Sequence, residues 1–125
     1  MQSALNVYQQ NSVNIESPNK LIEMLYEGVL RFITQAKKSI LDDDIEKQVY
    51  WINRVIDIFA ELISSLDHSG EQEGMAAYLE GLYTYQIQLL TEANVECEVE
   101  KLDIVIKVVR GLLDAWREET SPVYS

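Results

Sequence analysis

Apolar residues recur along the chain at three- and four-residue steps in four stretches, joined by short polar breaks, which predicts four amphipathic helices. The first runs from about Pro18 to about Leu41. Leu25, Val29, Phe32, Ala36 and Ile40 form one stripe and Ile22, Tyr26, Val29 and Ile33 a neighbouring one, while Lys20, Glu23, Glu27, Arg31, Thr34 or Gln35, and Lys38 mark the polar side. Ser17 can cap this helix, and Pro18 suits its first position, where a missing N–H is no loss. Gly28 lies inside it at a cost of about 1 kcal/mol relative to alanine, so tight packing against a neighbour is expected there.

Asp42-Asp43-Asp44 breaks the pattern, and Asp43 with Glu46 makes a variant capping box for the second helix. The three aspartates lack the glycine and closing glutamate of a calcium loop, so helix start is the better reading. The second helix has the clearest period: Ile45, Val49, Ile52, Ile56, Phe59, Ile63 and Leu66 form a seam, and Trp51, Val55, Ile58 and Leu62 a stripe about 100° around from it. Two stripes imply two contact surfaces. They are either the two neighbours of a bundle helix or one neighbour and a partner groove.

After the turn chemistry of Asp67-His68-Ser69-Gly70, the third helix begins between Glu71 and Met75 and ends near Asn94. Its seam is Met75, Leu79, Leu82, Gln86, Leu89 and Ala93, flanked by Tyr78, Tyr83 and Tyr85 and widened by Ile87 and Leu90. The fourth carries Val99, Leu102, Ile106, Val109, Leu113 and Trp116, with Asp103 and Lys107 spaced to support it at i, i+4, and Ser121-Pro122 closes it. Such short connections force antiparallel neighbours. The fold class is therefore all-α: an antiparallel four-helix bundle over residues 17–120, an irregular N-terminal arm over 1–16 and a short tail over 121–125.

Composition narrows the function. With 21 acidic against 10 basic residues, the formal net charge of -11 opposes phosphate contacts and anionic bilayers, so neither nucleic acid nor membrane insertion is expected. No uncharged apolar run reaches the length of a spanning helix, and the first residues lack the basic and apolar regions of a signal peptide. A single cysteine, Cys97, cannot pair within the chain, and a cytoplasmic location is the expectation.

Catalytic chemistry finds no residues. A di-iron bundle needs paired Glu-x-x-His ligands, whereas the one histidine, His68, falls in a turn. Cys97 stands between Glu96 and Glu98 without the electropositive surroundings of a reactive thiolate. No glycine-rich phosphate loop or zinc cluster is present, so neither cofactor nor metal is expected and the chain is read as a non-enzyme. What remains is a bundle with more apolar helix surface than four helices obviously need.

Several motifs, in order and spacing, carry a resemblance. Tyr8-x-x-Asn11-Ser12-Val13, Ser17-Pro18-x-Lys20-Leu21-Ile22-x-Met24-Leu25-Tyr26-Glu27-Gly28, Asp44-Ile45-Glu46-Lys47, Leu82-Tyr83, Glu92-Ala93-Asn94 and Trp116-Arg117-Glu118 together resemble the flagellar secretion chaperone FliS family across nearly the whole chain. The resemblance implies a cytosolic bundle that binds the unfolded C-terminal segment of flagellin in apolar grooves, prevents premature polymerisation and supports delivery to the export apparatus, with an export-gate component or a co-chaperone as further partners. It implies that Tyr8, Asn11 and Val13 cover a client groove and that Leu21, Met24, Leu25 and Tyr26 serve core, groove or both. For the groove itself the candidates are Trp51, Val55, Ile58 and Leu62 with Leu82, Tyr83, Gln86, Leu90 and Asn94. The competing reading is a helical adaptor or a homodimerising structural bundle.

Overall fold

The computed structural model describes Val7, Tyr8 and residues 18–120; the cap expected of Ser17, the client contacts of Asn11 and Val13, and the tail lie outside the described residues. Four helices follow in order: α1 (Pro18–Leu41), α2 (Ile45–Ser64), α3 (Glu73–Glu96, after a 3-10 turn at Gly70–Gln72) and α4 (Glu100–Thr120). They form a ring in which α1 packs on α2 and α4, and α3 packs on the same two, leaving α1 and α3 diagonal. Cross-helix pairs show the antiparallel sense. Early α1 meets late α4 where Arg117 Nε donates to Glu23 at 2.8 Å and Arg117 also bonds Glu27, and late α1 meets early α4 where Lys37 donates to Asp103 at 2.8 Å.

Each connection has an identifiable reversal. Asp43 adopts the left-handed conformation (φ 56°), which aspartate tolerates better than most residues. Extended Asp44 then caps α2, its Oδ1 accepting from the Lys47 N–H at 3.1 Å. The cap is thus one residue later than the Asp43 expected from sequence, because Asp43 is consumed by the reversal and Glu46 lies one position short of a capping-box partner. Asp67 Oδ1 accepts from the Ser69 N–H (3.0 Å) and hydroxyl (2.6 Å), bonds that hold its carboxyl below the usual range, and Gly70 follows at φ 81°. Cys97 ends α3 in the left-handed conformation and returns its N–H to Ala93 O at 2.8 Å. The expected Asp103–Lys107 support within α4 is replaced by the Lys37 bridge across helices.

The buried line of α2 is Gln48, Ile52, Val55, Phe59 and Leu62, not the seam beginning Ile45 and Val49, which are 53% and 39% exposed. A helix wedged between α1 and α3 turns the bisector of its two stripes inward, so each stripe contributes only some of its members to the core, Ile52 and Phe59 from one and Val55 and Leu62 from the other. On α3 and α4 the expected seams are largely the buried lines, Leu79, Gln86, Leu89 and Ala93 on one and Leu102, Val109, Leu113 and Trp116 on the other, with one substitution inside each. Tyr83 rather than Leu82 is enclosed on α3, and Val105 rather than Ile106 on α4. Gly28 packs as expected: a Cβ there would stand 3.1 Å from Ile58 Cδ1.

Candidate functional site

The distinctive chemistry lies at the end of the bundle where α1 and α3 begin and α2 and α4 finish. Here the arm docks. The Asp67 N–H donates to Val7 O at 2.7 Å, Tyr8 pairs with Leu66 as an antiparallel bridge, and both arm side chains are buried. Tyr8 from the arm, Tyr26 from α1 and Tyr83 from α3 bring their hydroxyls together inside the bundle. The Tyr83 oxygen is the hub, bonded to Tyr26 at 2.6 Å and to Tyr8. Trp116 of α4 meets the rings of Tyr8 and Tyr26 edge-on at 5.9 and 6.4 Å, and Phe59 of α2 lies 5.9 Å from Tyr83. Every helix and the arm therefore contribute one aromatic to a single cluster.

Burial raises the pKa of all three tyrosines, because a phenolate in this apolar setting would lose its hydration. They keep their protons through the neutral range and act as hydrogen-bonding struts, not as proton acceptors. Above them a groove of about 210 Å³ opens between α3 and α4. Val7, Tyr8 and Tyr26 form its base, Met75, Tyr78 and Leu79 one wall, and Leu112, Ala115 and Trp116 the other, with Glu119 at the rim. Pockets for drug-sized molecules occupy roughly 300–1,000 Å³, while about 150 Å³ accommodates a benzene. The groove thus has room for one aromatic or branched aliphatic side chain and is small for a substrate with its cofactor.

Its outer wall continues along α3, where Met75 (45% exposed), Tyr78 (64%) and Tyr85 present apolar surface to solvent and no Lys or Arg interrupts the helix. Among the described residues no three His, Cys, Asp or Glu side chains are placed to hold a metal ion, and no helix is long and apolar enough to cross a membrane.

The sequence candidates fall into separate places. Tyr8, Tyr26 and Tyr83 meet in the cluster, whereas Val55, Leu62, Gln86 and Leu90 are enclosed within the bundle, where no partner can touch them without unfolding it. Trp51 packs on Phe32 of α1 at 5.3 Å, and Ile58 meets Gly28, so both lie on the α1–α2 seam. Leu21, Leu25 and Leu82 are half-buried, and Met24 is exposed on α1. Asn94 sits at the far end of the bundle, accepting from Gln48 Nε2 through its backbone and side-chain oxygens at 2.9 and 2.8 Å. Sequence reasoning did not assign Trp116, Leu112, Ala115, Met75, Tyr78 or Leu79 to the groove. The available signal was Trp116 closing the fourth seam, with Leu112 one turn before it.

The sequence profile described as "Flagellar protein FliS" matches residues 1–122, which include the arm, the cluster and both walls of the groove. The chain belongs to the FliS family. Its relatives include the "Flagellar secretion chaperone FliS" of Campylobacter jejuni, 54% identical over 115 residues that cover 92% of this chain and 89% of that protein. The protein of the same name from Bacillus subtilis is 33% identical over 118 residues, covering 94% and 86%, and that of Escherichia coli 28% identical over 110 residues, covering 87% and 80%. Within this FliS-family bundle, Tyr8 is therefore a structural member of the aromatic cluster as well as the first residue of the arm motif.

Proposed function

We propose that this chain is a non-catalytic cytosolic export chaperone that holds the unfolded C-terminal segment of flagellin, keeps it from polymerising and hands it to the flagellar export apparatus. The observation that carries this reading is the groove between α3 and α4 at the arm, continuous with the exposed apolar side of α3. A disordered tail with amphipathic stretches would set one bulky side chain into the groove as an anchor and lay its apolar face along Met75, Tyr78, Leu82 and Tyr85. Ordering that tail costs free energy, which limits affinity and suits a client that must be released. In this reading Asn11 and Val13, further along the arm, would cover the groove whose base Val7 and Tyr8 form. Leu21, Met24 and Leu25 supply secondary contacts from α1.

Calorimetric titration with a peptide of the flagellin C-terminal segment tests the proposal. One-to-one binding with a negative ΔCp, weakened by Tyr78→Asp and Met75→Asp at unchanged melting temperature, is the expected result. Absence of binding at micromolar concentrations would overturn it, as would full binding by both variants. A bundle whose spare surface instead forms a homodimer would show concentration-dependent melting without peptide.

A further inference from the structure

The cations of this acidic chain are unevenly used. Lys37, Lys38, Lys47, Lys101 and Arg117 are each ion-paired, whereas Arg31, Arg54, Lys107 and Arg110 make no ion pair among the described residues. Those four surround the middle of α1. Thr34 and Lys37 of α1 form a surface groove of about 450 Å³ with Asp103, Ile106, Lys107 and Arg110 of α4, and Arg31 stands one turn before Thr34 on the same helix face. On the other flank, the guanidinium carbons of Arg31 and Arg54 lie 5.2 and 4.7 Å from the Phe32 ring centroid. Arg54 also donates to the Tyr50 hydroxyl at 2.6 Å, and the Trp51 ring lies tilted against Phe32 (5.3 Å) and edge-on to Tyr50 (4.9 Å).

Helix charge reinforces the contrast. α1 carries four cations (Lys20, Arg31, Lys37, Lys38) against two glutamates, and those two, Glu23 and Glu27, are both engaged by Arg117; diagonal α3 carries four glutamates and no cation. We infer that the α1-centred face is a second docking surface, distinct from the groove between α3 and α4, and that its partner is an acidic protein segment with interspersed apolar residues. Guanidinium groups held against aromatic rings keep their N–H forks for carboxylates. Ile106 and the Phe32–Trp51–Tyr50 strip meet the apolar residues, and Asp103, already neutralised by Lys37, adds little repulsion. Nucleic acid fits less well, because a long polyanion would run off the patch onto carboxylates such as Asp57 and Asp114, which stand one helical turn from Arg54 and Arg110.

The test is fluorescence anisotropy with a labelled peptide repeating Asp-Leu-Glu-Phe, compared with a peptide carrying Lys in place of each acid and with a single-stranded oligonucleotide. The proteins are the full wild-type chain and the double variant Arg31→Glu, Arg110→Glu, both checked for helicity and melting. The acidic peptide is expected to bind the wild type and to bind the double variant about tenfold more weakly, since reversal removes two attractions and adds two repulsions. Binding of the flagellin tail peptide should be unchanged, which separates this surface from the groove. Equal binding of the acidic peptide to both proteins, no binding up to about 1 mM, or tighter binding of the oligonucleotide overturns the inference. Should the double variant misfold, Arg31→Gln with Lys107→Gln makes the same comparison, with a smaller loss expected and no loss refuting.

Discussion

Changing Tyr83 to Phe removes one oxygen from the aromatic cluster yet deprives two others of their partner. The Tyr8 and Tyr26 hydroxyls are both buried and both bonded to Tyr83. A buried hydroxyl without a partner costs about 1–3 kcal/mol, and the two left behind can recover at most one bond by closing on each other. The expected loss for Tyr83→Phe is therefore about 2 kcal/mol. An unfolding entropy near 2.1 cal/mol/K per residue over 125 residues, roughly 0.26 kcal/mol/K in all, converts that to a fall in Tm of about 8 °C. The decisive comparison is the triple variant Tyr8→Phe, Tyr26→Phe, Tyr83→Phe. With no hydroxyl left to satisfy, it should return to within about 1 kcal/mol of wild type, because exchanging both partners of a buried bond for apolar groups of like shape is nearly neutral. Urea and thermal unfolding followed by circular dichroism measure both. A single variant within about 0.5 kcal/mol of wild type, or a triple variant less stable than the single one, would refute the hub.

The same cluster predicts a pH dependence. Below pH 10 the three tyrosines are protonated whether the chain is folded or not; above it the unfolded chain releases protons that the folded chain retains, since burial raises Tyr8, Tyr26 and Tyr83 above 10.0. Stability should fall by up to about 4 kcal/mol per pH unit there, roughly 1.4 for each group, and the triple phenylalanine variant should lose that increment in melts between pH 9 and 11. Gly28→Ala should change stability by less than about 1 kcal/mol, its gain in helix propensity offset by the contact with Ile58 Cδ1, whereas Gly28→Leu should cost about 2–3 kcal/mol in urea melts. Gln86 Oε1 is buried without a hydrogen-bond partner, so Gln86→Met should raise the unfolding free energy by about 1 kcal/mol; a loss of stability would show that the oxygen is satisfied.

Helix positions and the bundle could be read from three- and four-residue spacing, and α1 spans the expected Pro18–Leu41. Rotation about the axis could be read for α1, α3 and α4 but not for α2. On α2 both stripes are apolar, so the spacing is satisfied equally whether Val49 or Gln48 points inward, and the answer depends on where α1 and α3 stand. The burial of Gln48 shows the difficulty: a polar residue on the inward line is acceptable only because Asn94, 46 positions away, accepts its protons. Tyr83 is the parallel case on α3. Spacing placed it beside the third seam and among the groove candidates, and its full burial is tolerated because Tyr8 and Tyr26 reach it from the arm and α1. Long-range polar satisfaction leaves no local trace in spacing, which is why the hub of the cluster emerges only in three dimensions; both walls of the groove emerge there too, since they depend on how α3 and α4 face each other.

The edge-on contact between Tyr8 and Trp116 has an optical consequence. One of the two tryptophans touches the arm, while the other, Trp51, lies across the bundle against Phe32. With Trp51→Phe, emission would come from Trp116 alone, and lifting Tyr8 from its ring would expose the indole to water and shift the spectrum to the red. The arm thus carries its own reporter, able to follow opening in real time without a label.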